Sequence, residues 1–90
     1  MDLENFRNQL DSLDSELIAT LAKRFKVIHE VGEYKKENKI NSFQPWRWQE
    51  VLNSRKAQAR DLWVDPEMIE EIWNIIHKFA LKKENSILNN

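Results

Sequence analysis

Apolar residues recur from Leu3 at intervals of three and four: Phe6, Leu10, Leu13, Leu17, Leu21, Ile28 and Val31. Such spacing puts them on one face of a helix. Asp2 suits the N-cap, and Gly32 is the only weak point in the interior. The stripe therefore predicts one helix from about Leu3 to Glu37. Residues 38–44 read as a polar loop, and Pro45 suits the first turn of a second helix. That helix carries Trp48, Val51, Leu52, Arg55 and Ala59 at helical spacing and ends near Asp61. Asp65, Pro66 and Glu67 then supply an N-cap, a first-turn proline and a first-turn acid. Val64 and Ile69 are spaced for a hydrophobic staple over this third start. The third stripe is Ile69, Ile72, Trp73, Ile76, Phe79 and Ala80, and residues 86–90 are expected to fray.

The first helix is long for its chain. About 35 residues at 1.5 Å rise span about 52 Å, whereas a compact chain of this length has a radius of gyration of about 12 Å. A break near Gly32 or an intertwined dimer would reconcile the two, and the continuous stripe favours the dimer.

One position on the stripe is out of character. Arg24 falls between Leu21 and Ile28, Lys35 continues the face beyond Val31, and Arg7 flanks it near Leu3 and Leu10. A cation on a buried face costs several kcal/mol unless an anion meets it. Periodicity leaves two accounts open. Arg24 could pair with an acid such as Asp14 or Glu50 while Arg7 and Lys35 reach water. Alternatively these cations, joined by Arg47 from the second helix, could clamp a small di- or polyanion.

Composition narrows the class. The 90 residues are 41% hydrophobic and 32% charged, with one glycine and two prolines, as expected of a single all-helical domain over residues 1–90. A net charge of -1 gives no general field for nucleic acid or a membrane surface, so any anion site is local. There is no cysteine, and no stretch suits a signal peptide or a bilayer span; a cytoplasmic location is the expectation. No nucleophile–base pair, metal-ligand cluster or phosphate loop is visible. His29 and His77 stand isolated and read as surface or packing residues. Tyr34 and the four tryptophans read as core or interface residues.

The order of these features resembles the all-helical class of chorismate mutases across about residues 3 to 84. The similarity is carried by Leu-Asp-Ser-Leu-Asp-Ser-Glu-Leu-Ile-Ala-Thr-Leu-Ala-Lys-Arg-Phe (10 to 25), by Val31, Gly32 and Lys35, by Pro-Trp-Arg (45 to 47) and by Val-Asp-Pro-Glu (64 to 67). The resemblance implies a homodimer in which three helices from each chain intertwine. It implies two cofactor-free and metal-free sites that rearrange chorismate to prephenate. Arg7 would come from the partner's first helix and, with Arg24, grip the two substrate carboxylates. Lys35 would reach the ether oxygen, and Arg47 would line the site. The same resemblance places Gln44 where an Asp is common. It places Trp48 where a Glu anchors the ring hydroxyl, Ala80 where a Ser assists a carboxylate, and Glu84 where a Gln donates to the ether oxygen. An ionised Glu84 would repel charge developing there, so it would have to carry a proton to donate. Trp48 also opens three alternatives: an isochorismate-pyruvate lyase, a mutase for the 4-amino-4-deoxy analogue, or a non-catalytic helical domain.

Overall fold

The computed structural model describes residues 2–89, which form three α-helices: α1, Leu3–Glu37; α2, Pro45–Asp61; and α3, Pro66–Leu88. Local chemistry sets the boundaries. Asp2 accepts from the Asn5 N–H at 2.9 Å to open α1, and Asp65 accepts from the Glu67 N–H at 2.9 Å to open α3. Pro45 opens α2 without a side-chain cap from Gln44.

Helices α1 and α2 end alike. After α1, Ile40 N–H donates to the Lys35 carbonyl and Lys39 N–H to that of Lys36; after α2, Val64 N–H donates to Ala59 and Trp63 N–H to Arg60. Both closures are Schellman motifs, which need a left-handed residue just past the helix. Lys39 (φ 55°) and Trp63 (φ 60°) fill those positions, and the single glycine lies elsewhere in the chain.

That glycine, Gly32, is buried inside α1. A Cβ there would stand 2.8 Å from Ile87 Cδ1 and 3.5 Å from Glu84 Cα. Gly32 is thus where α1 and α3 approach closely, and α1 runs through it unbroken. The same contact corrects the expectation of a frayed terminus: α3 stays helical through Leu88 because Ile87 seats on Gly32. Asn90 lies outside the described residues.

Helix α3 packs against both α1 and α2, while the backbones of α1 and α2 stay apart. A cleft therefore remains between α1 and α2, floored by α3. The buried core is small: Leu52 and Ala59 of α2 with Ile76 and Ala80 of α3. The molecule measures 55 × 25 × 15 Å with a radius of gyration of 16.3 Å, well above the ~12 Å of a compact chain this long. Its length is that of α1, whose residues up to Thr20 are all exposed. Leu3, Phe6, Leu10, Leu13 and Leu17 each expose from 49% to 62% of their surface. More than half of the stripe thus has no cover from its own chain.

Candidate active site

The cleft draws on every element. Helix α1 contributes Arg24, Ile28 and Lys35; the loop contributes Ser42 and Gln44; α2 contributes Arg47, Trp48 and Val51; α3 contributes Trp73, His77, Ala80 and Glu84. Arg24, Ile28 and Lys35 share a face through their spacings of four and seven. Trp73, His77, Ala80 and Glu84 do likewise on α3.

Arg24 has no acid partner. Its Nη1 is buried and makes no hydrogen bond, and Glu50, one acid suited to it, instead accepts from Arg47 one turn away on α2. Burial and then the neighbouring Arg55 hold the Arg24 guanidinium below its ordinary pKa. The account in which Arg24 is satisfied by Asp14 or Glu50 is therefore not met among the described residues. A buried unpaired donor costs about 1–3 kcal/mol, which a bound acceptor would offset. Trp73 Nε1 is a second buried donor without a partner, on the same cleft.

Lys35 and Glu84 are joined. Lys35 Nζ donates to Glu84 Oε1 at 2.7 Å and to the Ser42 carbonyl at 2.9 Å. Glu84 is 5% exposed, so its carboxylate sits at the cleft floor against the ammonium. A lysine has three N–H donors, and two are used here, which leaves one without a partner among the described residues. The Ser42 hydroxyl bonds Asn85 Oδ1 at 2.6 Å, which ties the loop to α3.

One wall of the cleft is aromatic. The His77 imidazole stacks on Trp48 with centroids 3.9 Å apart and planes 13° from parallel. Phe43 meets the same imidazole at 5.5 Å, tilted by 54°. Burial, the largest influence, pushes the His77 pKa down; Glu84 raises it, while Arg24 and Lys35 lower it further.

The fold thus assembles Arg24, Lys35, Gln44, Arg47, Trp48, Ala80 and Glu84 around one cleft. Arg7 is not among them: it is exposed and lies 17 residues before Arg24, about 25 Å along the helix. His77 does pack, but on the cleft wall, and sequence isolation concealed this because Trp48 lies 29 residues earlier. Its spacing of seven from Glu84 on α3 was the available signal. Trp46 and Trp63 are 73% and 95% exposed, so neither belongs to the core of this chain. His29 pairs with Glu33 at 2.7 Å on the surface. Among the described residues no three His, Asp or Glu side chains gather as a metal site would require, and no helix is long and apolar enough to cross a membrane.

A long first helix and a three-helix cleft holding the unpaired Arg24 define an all-helical cleft domain. The family model of type II chorismate mutases matches residues 6–85, and the chain belongs to that family. It is 34% identical over 84 residues to a T-protein of Enterobacter agglomerans, and 29% identical over 83 residues to a T-protein of Haemophilus influenzae. These alignments cover 93% and 92% of this chain but 22% of each T-protein, so the chain spans about a fifth of their length. A 4-amino-4-deoxychorismate mutase of Streptomyces pristinaespiralis is 27% identical over 74 residues, covering 82% of this chain and 57% of that protein.

Proposed function

We propose that this domain is a chorismate mutase that converts chorismate to prephenate without a cofactor, as an intertwined homodimer with two shared sites. The observation that carries this is Arg24: a buried guanidinium nitrogen without a partner, beside a second arginine and on a cleft whose acids are taken. Such a site favours an anionic ligand. The rearrangement breaks a carbon–oxygen bond while a carbon–carbon bond forms within one molecule, so no nucleophile or base is needed. The site must hold the folded conformer and place donors where the ether oxygen gains electron density. In this scheme Arg24 grips a carboxylate, Lys35 offers its third N–H to the ether oxygen, and Arg47 adds positive charge at the mouth. Glu84 keeps Lys35 aimed through their 2.7 Å contact.

The shared site is supported by the uncovered stripe from Leu3 to Leu17 and by the place of Arg7 on the same projecting segment. A second copy laid along that stripe would bury it and carry its Arg7 to the cleft. The cleft holds about 130 Å³, short of the roughly 300 Å³ at which enclosed ligand pockets begin, as befits a half-site.

The alternative with support of its own is a mutase for the amino analogue, given the Streptomyces relative and Trp48. Charge counts against it. A ring ammonium would enter a cleft where Glu84 is bound to Lys35 and Glu50 to Arg47.

The deciding experiment incubates the protein separately with chorismate, isochorismate and the 4-amino analogue and identifies the products. Prephenate from chorismate is expected; salicylate from isochorismate, or turnover of the amino analogue alone, would replace the reading. For the shared site, Arg7→Ala and Arg24→Ala are each expected to be inactive. Their mixture should regain about a quarter of parental activity, since half the dimers are then mixed and each has one intact site. A mixture that stays inactive, or a monomer in sedimentation, would refute it.

A further inference from the structure

The scheme above leaves two parts of the cleft unused: the lone Trp73 Nε1 donor and the stack of His77 on Trp48. The geometry of the stack limits what it can do. The imidazole stacks on Trp48 at 3.9 Å and meets Phe43 at 5.5 Å, contacts that restrain its plane, yet its ring nitrogens have no hydrogen-bond partner among the described residues. Every charged neighbour on the cleft is engaged or assigned: Lys35 to Glu84, Arg47 to Glu50, and Arg24 to a ligand carboxylate. Gln44 at the mouth is exposed, and the free Trp73 Nε1 can only donate. An oriented polar atom without a partner, on the wall of a small-ligand cleft, is what positions a neutral substituent.

Resting on the mutase reading, we propose that His77 is a specificity residue that hydrogen-bonds the substrate's ring hydroxyl, with Trp48 as the positioning residue that holds the imidazole in place. A neutral imidazole has one donor and one acceptor nitrogen, which matches a hydroxyl that can both give and take. Burial and the two cations Arg24 and Lys35 outweigh Glu84 and keep His77 in that neutral form. Trp48 is then not the loss of a polar contact but the platform under its replacement.

His77→Phe separates this role from packing, because phenylalanine preserves the stack on Trp48 and removes both nitrogens. The probes are chorismate and its analogue lacking the ring hydroxyl. With chorismate, kcat/KM of His77→Phe should fall about 10- to 100-fold, the range for a lost hydrogen bond to a buried partner. With the deoxy analogue it should stay within about twofold of the parent. Trp48→Ala should show the same selectivity for the hydroxyl-bearing substrate. Imidazole proton resonances give a readout independent of turnover. The chain has two histidines, and His77 signals, assigned by their loss in His77→Phe, should shift on binding a hydroxyl-bearing inhibitor and not its deoxy counterpart. Equal losses on both substrates would mean that His77 only packs, and no loss on either would remove it from the site; each overturns the inference and leaves the mutase reading intact. A parent that neither binds nor turns over chorismate overturns both.

Discussion

Lys35 Nζ meets Glu84 Oε1 at 2.7 Å, one turn along α1 from the glycine that lets α1 and α3 touch. The pair spans 49 residues of sequence and closes the cleft floor. Lys35→Met would leave Glu84 buried without its cation. Because Lys35 keeps some exposure, the expected destabilisation is about 2–3 kcal/mol, below the range for fully buried pairs. Urea denaturation checks this, and a change below about 0.5 kcal/mol would show the pair to be structurally idle. Glu84→Gln keeps the shape and adds an N–H donor toward the ether oxygen, so kcat at neutral pH should rise by up to about tenfold. A fall in kcat would show that aiming Lys35 takes the full carboxylate.

Arg24→Ala distinguishes a ligand clamp from a structural cation. Arg24 has no acid partner, and Arg55 stands near it. Removing Arg24 should therefore leave thermal stability within about 1 kcal/mol of the parent while lowering kcat/KM at least about 100-fold. A large stability loss with turnover retained would make Arg24 structural.

His77 makes stability depend on pH in a definite direction. Its folded pKa is depressed below the ordinary 6.5, so the unfolded chain takes up a proton first as pH falls. Stability is then fully present above about pH 6.5 and declines as pH drops from there toward the folded pKa. The melting temperature should fall between pH 7 and pH 5, and His77→Phe should show a shallower fall over that window. An identical slope in the two proteins would contradict the depression.

Trp63 sits at φ 60° after α2 with 95% of its surface exposed. A left-handed residue with a Cβ costs about 1–2 kcal/mol, and glycine avoids this at some cost in unfolded-chain entropy. Trp63→Gly should stabilise the protein by about 0.5–1 kcal/mol in thermal denaturation. A loss of stability would mean that the indole is covered in the assembled protein.

Much of the fold follows from short-range physics. The periods of Leu3 to Val31 and Ile69 to Ala80 mark helices, Asp2 and Asp65 cap them, and Pro45 and Pro66 start them, all through contacts within four residues. Two things escaped that scale. The terminus after Asn85 looks polar and loose in isolation, but Ile87 is pinned by Gly32 across 55 residues of chain. The helix ends at Lys39 and Trp63 carry no glycine signal, since they are held left-handed by backbone bonds rather than by residue preference.

The site divides in the same way. Arg24 and Lys35 were marked by the sequence alone, because a cation on an apolar stripe is anomalous wherever the stripe packs. Whether Arg24 was already satisfied was a question of distance between helices, and only the tertiary structure decided it: Glu50 turns to Arg47, and Arg24 stays unpaired. The partnerships of Lys35 with Glu84 and Trp48 with His77 join helices 29 to 49 residues apart in the chain. Periodicity assigns each side chain a face, but it carries no information about which face lies opposite, and that pairing is set by how α1 and α2 pack on α3.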